Sequence, residues 1–133
     1  MIIDRFNEYS DAQAVTSSAG STIVDLGAAG AVEAKPLYLH IKANVQPTAS
    51  GSATVAFAFQ TDDDEAFGSP TTLWSCAAIG KATLVDGYEV VRLPINGMKL
   101  ERYTRVYYTV ATGPLTGGKF DAFLSESADS NTN

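Results

Sequence analysis

Residues able to do chemistry are few in this chain, and they are scattered. Carboxylates cluster once, at Asp62, Asp63, Asp64 and Glu65, inside a polar stretch that ends in Gly68 and Pro70. Hard oxygen ligands gathered in a loop are what Ca²⁺ takes, but the EF-hand spacing and its central glycine are missing. A solvated surface turn is therefore the expectation, with these four residues a weak metal candidate and no cofactor implied. His40 and Cys76 are the only histidine and the only cysteine. One of each falls short of the usual zinc set. A catalytic triad would have to run through that single imidazole, and no nucleophile-elbow sequence is present. No glycine loop precedes a helix to cradle phosphate, and nothing positions a carboxylate pair for glycoside hydrolysis. The chain is expected not to be an enzyme. Four aromatic residues, Tyr38, Trp74, Tyr103 and Tyr107, could line a sugar-binding platform, although aromatic residues on strands more often fill cores and interfaces.

The elements that would carry these residues read as strands. Residues 36–45 alternate cleanly: Leu37, Leu39, Ile41, Ala43 and Val45 point one way, Tyr38, His40, Lys42 and Asn44 the other. His40 is thereby expected outward, exposed or at an interface. Residues 53–60 set Val55, Phe57 and Phe59 against the small side chains of Ala56 and Ala58, which would let another element approach closely. Cys76 falls in an apolar run near Trp74 and reads as a buried structural thiol. Asp86-Gly87 is a hairpin signal. The strand at 88–95 carries Pro94, which lacks a ladder donor and belongs at a sheet edge or bulge. Residues 101–124 read as a long hairpin, its first strand presenting Val106, Tyr108 and Val110 on one face and Tyr103, Arg105, Tyr107 and Thr109 on the other. Two well-filled faces mark a central strand.

Seven or eight such strands at regular spacing, with no persistent amphipathic helix, predict an all-β antiparallel sandwich, jelly-roll-like in its wiring. The 133 residues suffice for one core. The division expected is an N-terminal arm at 1–20, the sandwich at 21–124 and a polar tail at 125–133. Fifteen acidic against nine basic residues leave a net charge of −6, and no Lys/Arg cluster offsets it. Nucleic acid is disfavoured as a partner. No stretch approaches the apolar length that spans a bilayer, and Met1–Arg5 lacks the basic and apolar regions of a signal peptide, so a soluble protein without membrane contact is expected.

Several short pieces carry a resemblance: Gln60-Thr61 running into the acidic turn with Phe67 after it, Leu93-Pro94 at a strand end, the run Arg102–Arg105, and Gly117-Gly118 ahead of Phe120. Over about residues 54–124, with an opening of similar flavour at 4–16, the chain resembles the small capsid cement, or decoration, proteins of tailed phages, of the type found in a Bordetella podophage and its relatives. The resemblance implies a jelly-roll-like sandwich, made in the bacterial host cytoplasm, that binds the exterior of the capsid. Its partner would be the major capsid protein, and it would act as a homo-oligomer stapling neighbouring capsomers. Ile2, Ile3 and Phe6 of the arm, with Tyr38, His40 and Tyr107, are the interface residues expected on that reading. The alternative is a carbohydrate- or receptor-binding sandwich of a phage appendage.

Overall fold

A computed structural model describes residues 8–21, 23–25, 38–49, 51–95 and 100–125. Its strands, in chain order, are β1 (Glu8–Ala14), β2 (Ala19–Gly20), β3 (Val24–Asp25), β4 (Tyr38–Thr48), β5 (Thr54–Asp62), β6 (Thr71–Ser75), β7 (Ile79–Gly80), β8 (Glu89–Pro94), β9 (Tyr103–Ala111) and β10 (Gly117–Ser125). All pairings are antiparallel. The first sheet runs β1-β10-β4-β8; the second runs β2-β9-β5-β6, with β3 extending the β2 edge and β7 the β6 edge. With the short β2 counted between β1 and β4, the chain crosses from sheet to sheet along β1, β2, β4 and β5 and again along β6, β8, β9 and β10, and β5–β6 is the hairpin that stays within one. That order is the wiring of a jelly roll, so the expected all-β sandwich is what the chain forms.

Alternation decides which side chains enter the core. Val55, Phe57 and Phe59 of β5, Val106 and Tyr108 of β9, and Leu39, Ile41, Phe120, Ala122 and Leu124 of the first sheet are all buried between the sheets. Phe57 meets Phe120 edge-on across the sandwich at 5.4 Å, and Tyr108 stacks on Phe120 at 5.5 Å. Both offset geometries suit the ring quadrupole. The two buried phenols find partners from the opposite sheet: Tyr9 with Thr104 and Tyr108 with Ser10, each at 2.7 Å. Residues 8–14, read from sequence as part of an arm, are thus an edge strand of the first sheet, and Tyr9 is one of its core residues.

Three further expectations change. β9 and β10 are not a hairpin: they lie in different sheets, joined by a corner in which Thr112 (φ 62°) and Gly113 (φ 98°) turn left-handed. Likewise the turn at Asp86-Gly87, with Gly87 at φ 82°, leads from the second sheet to the first. Alternation says which residues face a core, not whether the next strand lies beside or opposite. The third change is in β4. Its alternation breaks at a bulge against β10, so Val45 turns out to 42% exposure and Pro47 is buried in a strand that continues to Thr48. Gly118 (φ 128°) makes room for this, since a Cβ there would lie 2.7 Å from the Pro47 Cα. Pro94 does close an edge strand, β8. Asn96-Gly97, read as a turn, lies outside the described residues.

Candidate interface on the open face of the second sheet

The sequence-predicted site residues are not brought together. Ile2, Ile3 and Phe6 lie outside the described residues. His40 does alternate away from the core, as expected, yet it is only 1% exposed. It stacks on its cross-strand partner Phe123 at 5.0 Å, and Phe123 is itself 2% exposed. His40 is therefore not a surface contact residue: an outward side chain on a sheet meets solvent only if nothing covers that face. Tyr38 is half-buried at the end of the same strand. Tyr107 lies on the other sheet altogether. The four aromatic residues of the sugar platform are likewise dispersed, with Trp74 packed against the core beside Phe59.

The acidic run is a structured loop. Asp62 is buried, its Oδ1 accepting the Asp64 N–H at 3.1 Å and its Oδ2 the Ser69 N–H at 3.0 Å. Burial works to raise the Asp62 carboxyl, but these amides and the Asp63 groups outweigh it and hold the pKa below the ordinary carboxylate range. Among the described residues the carboxylates close enough to share an ion are Asp62, Asp63 and Glu101, not the contiguous four. Glu101 is distant in sequence and was missed. Both Asp62 oxygens already serve the loop's amides, so the arrangement is accounted for by the turn it builds.

What that turn does is place Phe67. Its N–H donates to the Asp64 carbonyl at 2.9 Å, and its backbone sits at φ 52°, uncommon for a residue with a side chain. The ring, 6% exposed, is laid against Arg105, whose guanidinium carbon lies 4.4 Å from the ring centroid. Tyr107 flanks the same guanidinium at 5.0 Å, and Arg105 Nε donates to Gln60 Oε1 at 2.8 Å. Register explains the grouping. Arg105 pairs with Gln60 and Tyr107 with Ala58, while Gly20 pairs with Tyr107 on the other side, so these residues share one outward face. Apart from Asp62, which turns into the acidic loop, the outward residues of β5 and β9 are half-buried or exposed, and none is buried. This is the open face of the sandwich. Tyr107 was expected at an interface; Arg105 was legible only as its neighbour, and Phe67 not at all.

Among the described residues, Gln46, Pro47, Thr48, Ala49, Lys81 and Ala82 line a depression of about 320 Å³. Its polar groups are engaged with one another: Lys81 Nζ donates to the Ala49 carbonyl and Gln46 Nε2 to that of Lys81.

Fold and surface together define a jelly-roll β-sandwich domain with one open sheet face. The chain belongs to the Bbp16 family, whose model matches residues 9–124. That name suggests a Bordetella phage protein and is consistent with phage origin. No curated protein matches the chain.

Proposed function

We propose that the chain is a virion structural protein that binds the exterior of the capsid, contacts the major capsid protein and, as a homo-oligomer, staples neighbouring capsomers. The observation that carries this reading is the phage-family match over nearly the whole sandwich. An open face on the second sheet, floored by Ala56 and Ala58, supports it, because small side chains let a partner come close. The chemistry is that of added contact area: each bound copy stabilises the shell by mass action, and several linked sites multiply the effect. The appendage reading drew on Tyr38, Trp74, Tyr103 and Tyr107 acting together, and the fold distributes them.

The test is sedimentation of the purified protein with capsids of its own virus that lack it, in immature and expanded forms. Saturable co-sedimentation, preferring expanded shells and raising their resistance to heat, is the expected result; no binding to either form would discard the reading. A deletion probing Ile2, Ile3 and Phe6 should stop at residue 7, because Tyr9 belongs to the core.

A further inference from the structure

We propose that Arg105, in contact with the rings of Phe67 and Tyr107, is the anchor through which the open face receives an aspartate or glutamate side chain of the capsid shell. The inference rests on the capsid-binding reading and names the partner's chemistry at one point of contact.

Arg105 uses one of its five donors, Nε, on Gln60. Among the described residues the ion pair formed is Arg92–Glu89, at 2.6 Å, and no carboxylate lies within ion-pair reach of Arg105. A half-buried guanidinium without an anion is unexpected in a chain with fifteen acidic residues and nine basic ones. Three features hold it ready. Phe67 and Tyr107 flank it and keep water from those sides. Gln60 fixes the rotation of the guanidinium plane through Nε, leaving the two terminal nitrogens as a fork. Gly20 and Ala58, the strand partners of Tyr107, keep side-chain bulk away from the approach. A Cβ at Gly20 would already touch Arg105 Cδ and Nη1 at 3.4 Å.

The left-handed Phe67 and the amide-bonded Asp62 loop serve this placement, because without them the ring would not lie over the guanidinium. A planar fork is matched bidentately by a carboxylate or a phosphate. The acidic chain disfavours phosphate-rich polymers, and exposed Asp63, Asp64 and Glu65 stand on the same loop. A single carboxylate from a protein surface is the complementary ligand. Arginine and tyrosine in partly desolvated clusters are the side chains that dominate protein interfaces.

The experiment compares wild-type protein, Arg105→Met and Arg105→Lys in binding to capsids of the same virus that lack the protein, with melting and free-state sedimentation measured alongside. Methionine keeps the stem against both rings and removes the fork; lysine keeps the charge and loses the bidentate geometry. The expected result is a dissociation constant raised about tenfold or more for Arg105→Met and less for Arg105→Lys. Both variants should stay folded and sediment as wild type. A cryo-microscopy map of decorated shells should then show a shell carboxylate against the Arg105 fork. Wild-type binding with unchanged Arg105→Met affinity overturns the inference and leaves the capsid reading standing. If Arg105→Met instead alters free-state sedimentation, a second copy holds the carboxylate and the inference fails. Should the methionine variant not fold, wild-type affinity in Arg105→Lys, or a map with no acidic residue at Arg105, overturns it equally. No wild-type binding to any shell removes the capsid reading itself.

Discussion

The Tyr9 hydroxyl of β1 and the Thr104 hydroxyl of β9 lie 2.7 Å apart, joining the two sheets through the core between residues 95 positions apart in the chain. A buried phenol needs such a partner, since leaving it unpaired would cost more than the bond contributes net. Tyr9→Phe removes this bond while keeping the edge-on contact of the ring with Phe59 at 5.9 Å. The expected loss is about 1–2 kcal/mol of unfolding free energy, read from urea titrations.

Alkaline pH should destabilise the protein through the same side chains. Burial pushes the phenols of Tyr9 and Tyr108 well up, against smaller opposing effects of Thr104 and Ser10, and for Tyr108 the Asp121 charge adds to the rise. An acid whose folded pKa is raised contributes stability that is full below its unfolded value, near 10 for tyrosine, and is lost as pH rises beyond it. Urea midpoints should therefore fall between about pH 9.5 and 11.5, and less steeply in Tyr108→Phe. An equal fall in that variant would assign the alkaline loss to other groups.

Asp62→Asn should release the loop that carries Phe67. An amide can accept through its oxygen alone, and its NH₂ would face one of the two N–H donors from Asp64 and Ser69. Because the Asp62 pKa is depressed in the folded state, its contribution is present above the ordinary carboxylate range and is lost as pH falls through the folded value. The stability gap between wild type and variant should accordingly close on acidification from neutral pH. A gap of constant size down to the acid limit would mean that shape rather than charge is what Asp62 supplies.

Gly118→Ala should cost about 1–3 kcal/mol, since a side chain there meets both a left-handed φ of 128° and the Pro47 backbone. Gly51→Ala is the control, because nothing lies within 4 Å of a Cβ at that site. Thermal melts of the two variants should separate clearly.

Much of the sandwich could be read from local pattern. Val55, Phe57 and Phe59, and Val106 with Tyr108, declare their buried faces by period-two alternation, and Pro94 declares an edge by its missing donor. These depend on each strand's own geometry, which neighbouring residues set. What tertiary structure decided was which strand lies beside which, and what lies over each face. That put β9 and β10 in opposite sheets, stacked His40 on Phe123, and turned Val45 outward at a bulge. The candidate site divides the same way. Tyr107 and Arg105 share a face because they are two apart on one strand, whereas Phe67 reaches Arg105 from a loop 38 positions earlier. A contact of that kind follows from strand register and from a left-handed turn held by amide bonds, and neither is written in the spacing of the residues that meet.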